Sequence, residues 1–225
     1  MSSNRQAINR LLVAAVLCAG GVALLALLFY GSTRIASFDA RVTSHFLAME
    51  GTTPDRMADI AAKLADPAPL ALIVFGLIAL GIGWNRPWHL LAAGAVMFAA
   101  NVTTQVLKML MAHPRLQGAL GVSYPIEIHY PSGHTTAALA AGFGLWLIVP
   151  PRWRLLAGVA AAAYGLAVAA GVVIAGWHFI SDVIGASMVV GFWACLALAA
   201  LILAGKEPGF KPGERPGEPS RSGTG

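Results

Sequence analysis

Residues 128 to 149 read "IHYPSGHTTAALAAGFGLWLIV", and after His134 the chain carries no charged side chain until Arg152. An ionisable histidine therefore stands at the threshold of a long oily run. Pro131 and Gly133 shape a turn, Ser132 is a good helix cap, and the apolar residues beyond form a helix. The first turn of such a helix offers free N–H groups and the positive end of its dipole, a cradle for an anion such as phosphate. A capped helix with a histidine at the membrane interface is the plain alternative.

The rest of the chain has the same character. Of 225 residues, 57% are hydrophobic and only 11% are charged, with a mean hydropathy of +0.71. Soluble domains carry about 25% charged residues. So few charges cannot cover a globule in water, which points to an integral membrane protein. The formal net charge of +5 comes from basic residues scattered between apolar runs. No basic stripe forms, so nucleic acid is not an expected partner. Cys18 and Cys195 both lie in apolar runs, which speaks against a disulfide framework.

Six apolar segments stand out, at 11–30, 68–84, 88–110, 134–149, 154–176 and 179–204. Lipid leaves backbone N–H and C=O groups no partner but the helix itself. The expected fold class is therefore all-α, with six transmembrane helices in one bundle. The domain expected is 1–204, followed by a disordered Gly-, Pro- and charge-rich tail over 205–225. The run at 11–30 is read as a retained helix, since it exceeds a cleaved leader's apolar core and no small-x-small site follows it. Short interfacial helices are expected within 31–67. Thr53 serves as a cap, Pro54 opens the helix, and Met57, Ile60, Ala61 and Leu64 share a face. Asp59 and Lys63 pair at i,i+4. The short basic loops "NRPWH" and "PPRWR" place both termini in the cytoplasm. The loops at 31–67, 111–133 and 176–179 then face outward.

Three clusters sit at the outward ends of these segments. "KMLMAHPR" supplies Lys108 and Arg115. Lys108 is the charge in its apolar segment, and such a group is either functional or snorkels to the interface. The second cluster is "PSGHTT". The third, "GWHFISDVIGA", sets His178 and Asp182 four residues apart, on one face if the helix begins near Trp177. A carboxylate there can hold the histidine Nδ1–H and leave Nε2 as nucleophile or base; a purely structural pair is the alternative. Together, two cations, a helix N-terminus and two histidines suit a phosphoryl group, whose transition-state charge spreads over its oxygens. Two histidines and one aspartate also admit a metal, but Lys108 and Arg115 would repel a cation and already supply positive charge. No metal or cofactor is expected.

Lys108-x6-Arg115, Pro131-Ser132-Gly133-His134 and His178-x3-Asp182 resemble, in order and interval, the three signature motifs of the type 2 phosphatidic acid phosphatase (PAP2) family. The resemblance covers about residues 88 to 204. It implies a six-helix membrane bundle and metal-independent hydrolysis of lipid phosphates through a phosphohistidine. It makes His178 the nucleophile, Asp182 its orienting acid and His134 the general acid. Lys108, Arg115, Ser132 and Gly133 become the phosphate-binding residues. The partners implied are the bilayer and a lipid phosphate or diphosphate of polyprenyl, phosphatidylglycerol phosphate or phosphatidic acid type. The place implied is a bacterial inner membrane, with the site at its outer face.

Two positions depart from the family pattern. Leu116 stands where the family has Pro after the first-motif Arg. Gly171 and Val172 stand where the third motif opens Ser-Arg, so one phosphate-binding cation is missing. His113 or an arginine from 31–67 would have to substitute, or the substrate needs less clamping, or the chain is a lipid phosphotransferase built on the same His-His-Asp triad. A degenerate, non-catalytic lipid-binding protein is the remaining alternative.

Overall fold

The structure, a computed structural model, describes residues 2–47, 49–111 and 130–206. Every regular element among them is helical. The order is α1 (Ser2–Gly31), α2 (Thr33–Leu47), α3 (Thr53–Lys63), α4 (Pro67–Gly83), α5 (Pro87–Leu110), α6 (Gly133–Ile148), α7 (Arg154–Ile174) and α8 (Ile180–Leu203). The expectations for His113, Arg115, Leu116 and the tail from 207 fall outside the described residues.

Each of the six apolar segments is a helix, but six spans are not what the helix lengths support. Four helices are long and apolar enough to cross a membrane: α1, α5, α7 and α8. A fifth span arises if α3 and α4, bent by 49° at the break between them, are counted together. α6 has 16 residues. At 1.5 Å per residue it rises about 24 Å, short of the ~30 Å hydrocarbon core. The reason lies in the sequence: Pro150 and Pro151 follow Val149 and stop the helix.

That short helix is the centre of the bundle. Ten of its residues are buried, among them Ala137, Ala138, Ala140, Ala141, Gly142 and Gly144. Such small side chains let α4, α5, α7 and α8 close around it. The outer helices expose large apolar residues instead, including Leu17 and Leu27 on α1, Phe98 on α5 and Leu155 on α7. Water would not tolerate so much exposed hydrocarbon; lipid does. At one end, Arg86 donates to the carbonyls of Ile148 (3.1 Å) and Val149 (2.5 Å), closing the C-terminus of α6. Arg154 lies over the Trp146 ring at 5.2 Å. The two short basic loops thus share an end, as their charge led us to expect. The opposite end holds the N-termini of α4, α6 and α8 and the C-termini of α5 and α7.

The 31–67 segment differs in detail from the sequence reading. The cap of α3 is Thr52, one residue earlier than expected, and Asp55 Oδ2 accepts from Gly51 N–H at 2.9 Å. Lys63 does pair with Asp59, at 2.6 Å. Met57, Ile60 and Leu64 face outward, and Ala58, Ala62 and Ala65 are buried. Alanines allow the closest approach to α7. At Gly171 a Cβ would lie 2.6 Å from Ala58 O and 2.7 Å from Ala62 N, so only hydrogen fits. Val172 beside it is fully buried with Ala62, Ala65, Ala138 and Val168. At Gly171 and Val172, the two positions where the expected third motif would open Ser-Arg, α3 packs backbone to backbone on α7.

Gly171→Ala is expected to lower the stability of the purified protein by about 1–3 kcal/mol, the usual cost of overpacking. Thermal unfolding in detergent measures it; an unshifted transition would show that the α3–α7 contact does not carry stability.

Candidate active site

The site is built at the end of α7. Gly176, at φ +71°, takes the left-handed turn that ends the helix. Trp177 N–H donates to Val172 O at 2.9 Å and Gly176 N–H to Val173 O at 3.1 Å, the paired bonds of a Schellman stop. His178 N–H shares the Val172 carbonyl at 2.9 Å. The chain is thus fixed before α8 begins at Ile180, three residues later than the sequence suggested.

His178 therefore lies outside the helix, and its contact with Asp182 is not a same-face helical pair. Asp182 occupies the third position of α8 and reaches back across the N-terminus. One oxygen, Oδ2, accepts from Phe179 N–H at 3.0 Å and meets His178 Nδ1 at 3.2 Å. Asp182 is fully buried and His178 nearly so. With Nδ1 held, Nε2 is the nitrogen left for chemistry.

α6 opens beside it. Ser132, fully buried, is the N-cap, and its Oγ accepts from Thr135 N–H at 3.3 Å. Ser132 N–H donates to the backbone carbonyl of Asp182 at 3.1 Å. One backbone bond thus ties the Pro-Ser-Gly-His turn to the His178–Asp182 pair. Tyr130 leads into this turn, fully buried, with its hydroxyl on Val22 O at 3.0 Å. Its ring fills the space where Gly185 of α8 has no side chain. Thr136 donates to Ser132 O at 2.8 Å and meets Thr104 of α5 at 3.0 Å. The Thr135 hydroxyl is buried with no hydrogen-bond partner among the described residues.

Lys108 closes the third side. It lies in the last turn of α5, and a Cβ at Gly133 would stand 3.1 Å from its ammonium. Glycine at 133 therefore lets the ammonium reach the first turn of α6. The structure thus gathers Lys108, Ser132, Gly133, His134, His178 and Asp182 at one end of the bundle. Arg115 is outside the described residues. Of the candidate substitutes for the missing cation, Arg41 and Arg56 are exposed.

Two acids were missed. Asp39 of α2, 2% exposed, accepts from the hydroxyl of Ser181 and from Ser181 N–H in the first turn of α8. Asp66, the N-cap of α4, meets His134 Nε2 at 3.0 Å. His134 also faces the Trp177 ring at a centroid distance of 5.3 Å. No group of three or more metal-ligand side chains gathers among the described residues.

A groove of about 580 Å³ runs away from this cluster. Lys108, Gly133 and His134 line one end, and Leu70, Val74 and Phe75 of α4 line the other. It follows α4 from Pro67 to Phe75, a rise of about 12 Å along the helix.

Comparison with known proteins agrees with this construction. No curated protein matches the chain. The crystal structure of the first transmembrane PAP2-type phosphatidylglycerolphosphate phosphatase, from Bacillus subtilis, has a similar fold, with a TM-score of 0.64. The likeness covers 84% of this chain and 94% of that one at 19% identity, and speaks for the fold alone. Together with the exposed apolar helices it marks an integral membrane protein. Residues 89–205 match the model of the PAP2 superfamily, and since that match spans more than half of the sequence and takes in all three polar clusters, the chain belongs to that family.

Proposed function

We propose that this protein is a membrane phosphatase that hydrolyses a lipid phosphate or diphosphate through a phosphohistidine on His178, without a metal. The observation that carries this reading is the Asp182 carboxylate held against His178 Nδ1, which leaves Nε2 as a directed lone pair. Nε2 attacks phosphorus, the bond to the leaving oxygen breaks with its electron pair on that oxygen, and His134 supplies the proton. Lys108 and the first-turn N–H groups of α6 take the charge on the phosphoryl oxygens, with Ser132 and Gly133 shaping that turn. Water, giving a proton to His134, then attacks the phosphohistidine, the P–N bond breaks, and phosphate leaves. Arg115 is assigned to the phosphate by its motif. The unit performing this is residues 1–204, with termini in the cytoplasm and the site at the outer face of a bacterial inner membrane.

The groove supports a lipid substrate. It joins a cationic, donor-rich end to an apolar wall that runs along α4. A phosphate headgroup fits the first and the start of a hydrocarbon chain the second. The Bacillus subtilis protein of similar fold is a phosphatidylglycerolphosphate phosphatase, which supports the same substrate class. Transfer of the phosphoryl group to a second lipid is the alternative favoured by Val172, where the family's cation is absent. Labelled lipid phosphate separates the two: free phosphate without an added acceptor supports hydrolysis, label on a second lipid supports transfer.

Three outcomes are expected. His178→Ala abolishes phosphate release and the trapped phosphoenzyme of the purified protein, while a chelator leaves wild-type activity unchanged; release that survives the substitution would sink the mechanism. Val74→Trp narrows the groove and lowers kcat/KM for a long-chain lipid phosphate by about tenfold, while sparing 4-nitrophenyl phosphate, because one lost apolar contact is worth ~1–3 kcal/mol. Equal effects on both substrates would remove the groove from lipid binding. Val172→Arg does not restore a phosphate clamp. It buries a guanidinium among Ala62, Ala138 and Val168 and reduces both folded yield and activity; a gain in activity would show that α3 yields.

A further inference from the structure

Asp66 sits at the N-cap of α4 but does not cap it. A capping aspartate accepts from the N–H of the second or third helical residue. Here the helix opens Pro67-Ala68-Pro69, so the third position has no N–H to offer. The carboxylate turns away from its own helix and meets His134 Nε2 at 3.0 Å, across 68 residues of sequence. Both side chains are partly exposed, at 39% for Asp66 and 30% for His134, and His134 is part of the groove wall.

We propose that Asp66 is a positioning residue for proton delivery by His134, the counterpart of Asp182 on His178. This rests on the phosphohistidine reading above. The carboxylate accepts the Nε2–H, fixes the ring and compensates its charge when both nitrogens carry protons. Nδ1–H is then the proton delivered. It passes to the leaving oxygen as the P–O bond breaks and that oxygen takes the electron pair. The ring is left neutral with Nε2–H still on Asp66. In the second half Nδ1 takes a proton from the attacking water, and the pair returns to its first state. The Trp177 ring limits where the imidazole can turn. Pro69 thus removes one of the two N–H groups a capping Asp66 would use, and the carboxylate goes to His134 instead.

The test separates proton delivery from folding by the leaving group. An alkoxide needs the proton as it departs, whereas 4-nitrophenolate leaves as a stable anion. kcat/KM is read because it reports steps only through P–O cleavage, before water acts. Asp66→Asn is the variant, since Asn matches Asp in shape and as an N-cap and removes only the charge. With the full-length protein in detergent, kcat/KM for dioctanoyl phosphatidic acid should fall about 10- to 100-fold, within the range of general acid catalysis. For 4-nitrophenyl phosphate it should change less than about threefold. On phosphatidic acid, Asp66→Asn with His134→Ala should be no slower than His134→Ala alone, as for residues acting as a unit. Equal losses on both substrates, no loss on phosphatidic acid, or additive losses would each overturn the proposal. If wild type hydrolyses neither substrate, or His178→Ala stays active, the phosphohistidine reading itself fails; failure of Asp66→Asn alone leaves that reading standing.

Discussion

A carboxylate with no solvent exposure, set in a bundle of apolar helices, is the constraint around which this end of the molecule is organised. An unpaired buried carboxylate costs several kcal/mol, and lipid offers it nothing. Asp182 meets the constraint by accepting from Phe179 N–H and by holding His178 Nδ1. Its backbone carbonyl receives Ser132 N–H. One residue thereby fixes the start of α8, the ring of His178 and the mouth of α6. The Gly176 turn makes this possible, because it stops α7 and delivers His178 just ahead of α8.

The first turn of α8 draws a second acid. Asp39, from α2, accepts from the Ser181 hydroxyl and backbone N–H and is itself buried. Phe179 at the N-cap has no side-chain oxygen with which to satisfy that turn, so Asp182 within it and Asp39 from α2 do so. Their charge also suits the positive end of the helix dipole. The segment between α1 and α4 is therefore not a passive connector. Its α2 anchors the helix that carries Asp182, its α3 seals α7, and its last residues supply Asp66 beside His134.

What the sequence made legible was local. The Pro-Ser-Gly-His turn could be read because a helix cap and its partner N–H lie three residues apart, as Ser132 and Thr135 do. The His178–Asp182 pair was found by spacing although the register was misjudged. A four-residue interval brings the two together equally when the acid reaches back over a helix start. Lys108 was visible because a charge in an apolar run is rare. Asp39 and Asp66 were not, since their partners lie 142 and 68 residues away and no local pattern announces such contacts. The one local trace was Pro69, which leaves a residue at the N-cap with one N–H fewer to cap. On α3 the larger side chains, Met57, Ile60 and Leu64, mark an outward apolar face, while the small residues opposite make the contact with α7, which an apolar pattern alone does not single out.

Gly171, Val172 and the contact of Asp66 with His134 belong to one piece of packing. Glycine at 171 admits the backbone of α3, and Val172 completes the apolar seal behind it. A cation cannot share that space. The helix that occupies it leads through Ala65 directly to Asp66, so the segment that seals α7 also brings a carboxylate to His134. In the reaction proposed above, an arginine at 172 would meet charge on the phosphoryl oxygens. Without one, more of the burden falls on proton delivery to the leaving oxygen, the step that Asp66 would support through His134. On that proposal, the packing of α3 on α7 bears on both halves of the chemistry.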